Sequence, residues 1–219
     1  MNVMDLWSLQ GQLLLLLVVG AVLRRTGLFS VATKAFLTDF VIYVTLPCSI
    51  VLSFMMDIDL SVLRSFAIVL VISLAIQCFC ILLGKVLYRK QDRRRRSVLK
   101  YGMLVSNSGF MGLPVTQELY GAGGLMYASI YLIPQRVVMW SAGVSCFASE
   151  AVSWKQALRS SALHPGMISV YVGMVFLLFH LPLPRFIEHT MISIGSCTTP
   201  LSMMLIGSII GEMDRTQMR

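Results

Sequence analysis

An all-α polytopic membrane protein with an inverted-repeat transporter fold is the class this sequence predicts, and three observations predict it. Residues of the AVILMFWYC set make up 57% of the chain and charged residues 13%, with a mean hydropathy of +0.79, values far from those of a soluble domain. Apolar stretches of bilayer length alternate with short polar connections. The chain also matches itself at an offset of 153 residues, the signature of an internal repeat.

Cutting at charge clusters and turn residues, with roughly 20 residues per span, gives seven spans: 6–23, 36–56, 62–87, 98–119, 125–147, 167–181 and 191–210. The first ten residues hold no Lys or Arg, and no small-residue cleavage site follows the leucine run at 13–17. The first stretch is therefore expected to stay in the protein. Span two carries Pro47 and span seven carries Pro200. Span three holds Gln77, a candidate for bonding a neighbouring helix. Span four is the unusual one, because residues 106–114 read Ser-Asn-Ser-Gly-Phe-Met-Gly-Leu-Pro. Gly109, Gly112 and Pro114 weaken or interrupt the backbone ladder there, and lipid cannot satisfy the groups this frees. A helix interruption is expected between Asn107 and Pro114, buried in protein or lining a polar cavity. Span five carries Pro134, Gln135 and Arg136 near its centre.

Spans six and seven repeat spans one and two. At the 153-residue offset Gly20 meets Gly173, Thr45 meets Thr198, Pro47 meets Pro200 and Ser49 meets Ser202, without a gap. An odd number of spans, five, separates each copy from its counterpart, so the second copy is inverted in the membrane.

Basic residues then orient the chain. Arg24, Arg25 and Lys34 follow span one, Arg89, Lys90 and the four arginines 93–96 follow span three, Lys155 and Arg159 follow span five, and Arg215 and Arg219 follow span seven. The alternate connections hold Asp57 and Asp59, a glycine turn at 121–124, and Pro182, Pro184 and Arg185. The expected placement is multi-pass in the cytoplasmic membrane, with the N-terminus outside and the C-terminus inside. The arginine run accounts for much of the +8 net charge. Lying in the connection between two spans, it reads as a topology determinant, and no nucleic-acid partner is expected.

The five cysteines are scattered along apolar segments with no CxxC and no nearby histidine, and are expected as packing residues; no metal and no cofactor is expected. Gly-x-Ser-x-Gly, Gly-x-Gly-Asp and His-Glu-x-x-His are missing from the sequence, so an enzyme is not expected. A heptahelical receptor would give no reason for the inverted repeat, and span seven lacks a lysine for a retinal Schiff base.

The turn Arg24-Arg25-Thr26-Gly27-Leu28, the segment Tyr43-Val44-Thr45-Leu46-Pro47, the motif Asn107-Ser108-Gly109-Phe110-Met111-Gly112-Leu113-Pro114 and the segment Thr198-Thr199-Pro200-Leu201-Ser202 together resemble the auxin efflux carrier family. Its bacterial members are described as malate or malonate permeases. The resemblance implies two inverted five-helix repeats, with spans one, two, six and seven as scaffold and spans three to five and eight to ten as the mobile transport half. Residues 1–148 would be the first repeat, 149–166 a cytoplasmic connection, and 167–219 spans six and seven of the second. Spans eight to ten would then lie outside this sequence, which reads as a truncated member. The expected function is secondary transport of small organic anions such as carboxylates. The alternative is a non-transporting remnant or scaffold with half the substrate site. Expected partners are membrane lipid, a small organic anion and, through the scaffold helices, a second copy of the chain.

Depth selects the candidate site residues. Asn107, Ser108 and the freed amide near Gly109 lie mid-span, where neutral donors can hold a carboxylate without a permanent buried charge. Asn107 equally fits a role in bonding the broken backbone. Arg136 lies at matching depth, where a charge costs at least a few kcal/mol. It is expected to face the break as counter-ion for an anion, or to pair with Asp39 or Glu118. Asp39 is also a candidate coupling carboxylate. Gly112, Pro114, Pro47 and Pro200 are the expected helix-break positions. His164, His180 and His189 fall near span ends and are expected at the membrane interface.

Overall fold

A computed structural model describes residues 3–55, 60–106, 108–139, 141, 153–179 and 181–212. The helices are α1 (Val3–Arg25), α2 (Val31–Phe40), α3 (Leu46–Ser53), α4 (Leu60–Leu87), α5 (Arg93–Leu104), α6 (Leu113–Val138), α7 (Trp154–Ala162), α8 (Pro165–Phe179), α9 (Arg185–Ser196) and α10 (Thr198–Glu212). Two π-helical segments, Val41–Thr45 and Ser108–Gly112, lead into α3 and α6. Among the described residues, four stretches are long and apolar enough to cross a membrane: Trp7–Arg25, Val31–Ser53, Arg64–Leu87 and Arg185–Glu212. The shorter α8 is also strongly apolar. The protein is an all-α polytopic membrane protein.

Prolines set where the apolar stretches bend. Pro47 and Pro114 each lack an N–H and crowd the carbonyl four residues back. In both places the chain answers identically, with a π-helical turn ending two residues before the proline and a new α-helix starting one residue before it. Pro200 lies in the first turn of α10, after a bend at Cys197. The fourth span is thus interrupted over residues 105–112, two residues earlier than expected at its start, and Pro114 sits buried in the helix that follows. Within α6 the backbone reverses at Gly121, whose φ of 64° and ψ of −156° lie where only glycine is comfortable. The glycine turn between spans four and five falls there.

Three other boundaries differ from the sequence reading. Arg93, Arg94, Arg95 and Arg96 form the first turn of α5 and not a connecting loop. Residues 149–166 contain the helix α7, whose nine residues mix Lys155, Gln156 and Arg159 with Leu158 and the buried Ser161. The last apolar stretch starts at Arg185, six residues ahead of the expected span, because α9 and α10 stack nearly end to end.

Several serines in the helices are satisfied locally. Ser129, Ser169 and Ser208 each donate back to a carbonyl of their own helix, at 2.7 Å. Asp57, Asp59 and His180 lie outside the described residues, as do Cys146 and the arginines 215 and 219. The other four cysteines are free thiols.

Glycines let the helices approach to backbone contact. α1 packs along α10, and a Cβ at Gly20 would run into the Met204 carbonyl, while one at Gly207 would run into that of Leu17. Gly211 faces Ala21 in the same way, at 2.9 Å. Leu17 against Gly207 and Ala21 against Gly211 mean that α1 and α10 run in the same direction, the relation of first and seventh crossings when spans alternate. The reciprocal pair is α3 with α8, where Gly173 makes room for the fully buried Phe54. Spans one and seven, and two and six, are therefore partners. Where α3 crosses α9, the Ser49 hydroxyl donates to the Gly195 carbonyl (2.9 Å) and lies 3.1 Å from the Thr198 hydroxyl. The main apolar core fills the space between α3, α4, α6 and α8, with Phe54, Phe66 and Tyr127 in edge-to-face contact.

Because backbone atoms cannot move aside as a side-chain tip can, Gly207→Ala or Gly20→Ala should cost about 1–3 kcal/mol through overpacking. Gly11→Ala on the same helix α1 meets nothing within 4 Å and should be neutral. Melting temperatures of the three variants in detergent measure the difference. Equal losses would mean that α1 and α10 are not in contact.

Candidate anion site at the broken fourth span

The interruption creates the site by leaving backbone groups in need of partners. Val105, the residue after α5, is extended (φ −120°, ψ 97°), and the Ser106 carbonyl that follows takes a side-chain donor. Gln135 of α6 supplies one: its Nε2 donates to the Ser106 carbonyl and to the Ser106 hydroxyl, both at 3.0 Å. The Ser106 hydroxyl in turn bonds that of Ser108. On the far side of the break, the Thr116 hydroxyl donates to the Gly112 carbonyl. Gln135 is 5% exposed, and its Oε1 has no partner among the described residues.

These groups border a cavity of about 310 Å³. Ile42, Leu46, Val105, Leu132 and Met139 form its apolar wall; Ser106, Gly109, Gln135, Arg136 and His164 form its polar side. Elements from both halves of the chain therefore meet here. Pro134 lies within α6 directly ahead of Gln135 and Arg136, and Ser73 of α4 donates to the Tyr131 carbonyl three residues before it at 2.6 Å.

Arg136 lies against the His164 ring, with Nη1 2.5 Å from Nδ1 and 2.8 Å from Nε2. His164 sits in the turn between α7 and α8, and its Nδ1 also accepts the Gly166 N–H at 3.2 Å, so Nδ1 is the acceptor nitrogen of the neutral ring and Nε2 carries its proton. Burial, then the Arg136 charge beside it, push its pKa down to about 4. At neutral pH the imidazole is uncharged, and among the described residues the guanidinium carries the only charge on the cavity wall. Gly166 is where the guanidinium passes closest to backbone: a Cβ there would lie 2.8 Å from Nη2.

A family model described as membrane transport protein matches residues 11–156 of the sequence, which include the whole of this break and Arg136. The chain belongs to the membrane transport protein family. This is the auxin efflux carrier relationship that the motifs point to. An uncharacterized transporter of Methanocaldococcus jannaschii is 24% identical over 89% of this chain and 65% of its own length. An uncharacterized transporter of Methanothermobacter thermautotrophicus is 26% identical over 77% of this chain and 56% of its own. The chain thus spans less than two thirds of the length of either relative. No solved structure matches it.

Within this member of the membrane transport protein family, the cavity brings together Gly109 and Arg136 of the expected residues, with Ser108 bonded to its rim through Ser106. Asn107 lies outside the described residues. Asp39 is exposed on α2 and Glu118 is exposed near the Gly121 reversal, and neither lines the cavity. Among the described residues the partner of Arg136 is His164, and neither Asp39 nor Glu118 pairs with it. His164 lines the cavity, while His189 is exposed on α9. Gln77 is buried on α4, with its Oε1 unpartnered among the described residues. Pro47, Gly112, Pro114 and Pro200 shape the helices around the cavity without lining it. The sequence reading missed Gln135 as a site residue; its signal was an amide side chain at the depth of the break.

A histidine held neutral in the fold carries a specific pH signature. The unfolded chain binds a proton near pH 6.5 and the folded one only near about 4, so the stability is complete above about 6.5 and lost as pH falls through that window. Melting temperature should drop from pH 6.5 to 4 in the native chain and drop less in His164→Gln. A parallel decline in both would assign the acid sensitivity to other groups.

Proposed function

We propose that the chain carries small organic anions across the membrane by secondary transport, with the cavity at the broken fourth span as its anion site. The observation that carries this is one guanidinium, Arg136, placed beside broken backbone in a largely apolar cavity. A guanidinium fork matches a carboxylate in geometry, and in a low-dielectric pocket that pairing is strong and orienting. Broken spanning helices are where transporters hold their substrates. The family match and the two relatives named as transporters support the transport half of this reading.

The roles follow from position. Arg136 is the counter-ion for the carboxylate, and the apolar wall covers the hydrocarbon part of the substrate. Gln135 fixes the break and leaves Oε1 to accept a hydrogen bond. Asn107, Ser108 and the amide near Gly109 add neutral donors on the opposite side of the anion. Asp39, exposed on the scaffold stretch, is the carboxylate proposed for ion coupling. In the bilayer, the Arg24, Lys34 and Arg159 face is proposed as cytoplasmic.

Isothermal titration of the purified protein with matched mono- and dicarboxylates tests the site. Arg136→Gln should weaken carboxylate binding at least about tenfold, since a hydrogen bond to a charged group is worth roughly 1.5–3 kcal/mol. Gly166→Ala should weaken it less, by displacing the guanidinium, with little change in melting temperature. Unaltered binding in Arg136→Gln would remove the arginine from the site. Uptake of labelled carboxylate into proteoliposomes then tests transport. Binding without uptake would favour the scaffold reading for this polypeptide.

A further inference from the structure

We propose that the groove between α2 and α10 binds an anionic phospholipid, with one acyl chain along the groove and the phosphate held by Lys34 and Arg25. The groove has a volume of about 370 Å³. Its walls are Val31, Ala35, Leu205, Ile206 and Ile209, with Lys34 and Thr38 the polar residues among its lining. It opens outward: Val31 is 70% exposed and Ile209 56% exposed. In a spanning protein, that exposure is to hydrocarbon.

The charge lies at one end of the groove. Glu212, at the end of α10, bonds Arg24 Nε at 2.8 Å and Lys34 Nζ at 2.6 Å, which fixes the ends of α1 and α10 and the start of α2 at one level. Arg24 and Arg25 close the last turn of α1, and with Lys34 they stand there against Glu212, the one carboxylate at this level among the described residues. Glu212 takes one of the Lys34 donors and leaves two. Arg25 is exposed and has no protein partner among the described residues. Among those residues two positive charges are therefore uncompensated at these helix ends.

An anionic phospholipid uses both features at once. The bilayer itself holds its phosphate at the level of helix ends and its chains alongside the helices, and basic pockets between spans are recognised sites for such headgroups. Free phosphate would gain nothing from the apolar walls. Choline headgroups would set a cation against Arg25 and Lys34, and a second copy of this chain would bring a further basic rim to the same level.

Native mass spectrometry of the full chain, with added phosphatidylglycerol or phosphatidylcholine, tests the site. Phosphatidylglycerol should remain bound under conditions that strip phosphatidylcholine. Arg25→Gln, which breaks no protein contact, should reduce that retention about fivefold. Ala35→Phe, which fills the groove, should reduce it as well, and millimolar inorganic phosphate should not compete. Equal retention of the two lipids would overturn the proposal. So would undiminished phosphatidylglycerol binding in the Arg25→Gln, Ala35→Phe double variant, or displacement of the lipid by inorganic phosphate. A lipid-free dimer that Ala35→Phe dissociates would assign the groove to a second copy instead.

Discussion

A backbone carbonyl in hydrocarbon must find a donor, and at the broken fourth span Gln135 provides it for Ser106. In lipid an unsatisfied group of this kind costs several kcal/mol, so the interruption at residues 105–112 requires an amide on the facing helix. That requirement fixes the register of α6 against α5. Near the same place α6 carries Pro134, which lacks an N–H, and Ser73 of α4 donates to the nearby Tyr131 carbonyl. Once these bonds are made, Arg136 is carried into the same cavity by its place next to Gln135.

Spans one, two, six and seven obey a different constraint. α1 and α10 touch through glycines, backbone against backbone, while a glycine of α8 makes room for an aromatic side chain, and such contacts leave little slack for one helix to slide on the other. Gly20, Gly207 and Gly211 hold α1 to α10, and Gly173 holds α8 to Phe54. The salt bridges from Glu212 to Arg24 and Lys34 close the same assembly at its end. Around α5 and α6, by contrast, the contacts are hydrogen bonds across a break and a cavity.

Much of this was legible in the sequence because prolines and glycines act locally. The N–H missing at Pro47 and Pro114 dictates a bend wherever the residue is placed, and both bends lie immediately ahead of the prolines. The glycine pair at the 153-residue offset, Gly20 and Gly173, likewise marks close contacts, because only a missing Cβ permits them. The helical start at Arg93 was not legible. Four like charges read as a solvated connection, and only tertiary packing extends α5 back through them. His164 was hidden for a related reason. Its sequence neighbourhood places it at a span end, and it enters the cavity through the turn between α7 and α8, a helix that the short connection gave little reason to expect.

The identity of the group beside Arg136 decides what the cavity can attract. Had Asp39 or Glu118 been its partner, the pair would have been neutral, and an anion would have had to displace a carboxylate to bind. Against His164 the charge is buried without being cancelled, because burial and the guanidinium itself keep that imidazole unprotonated at neutral pH. Such a charge is costly in a bilayer. A neutral acceptor offsets part of the cost with a hydrogen bond and leaves the electrostatic attraction for an incoming carboxylate intact. The Gly166 N–H, by engaging His164 Nδ1, holds the imidazole in place for that task. His164 therefore steadies the arginine and also leaves it available, which a carboxylate in the same position would not do.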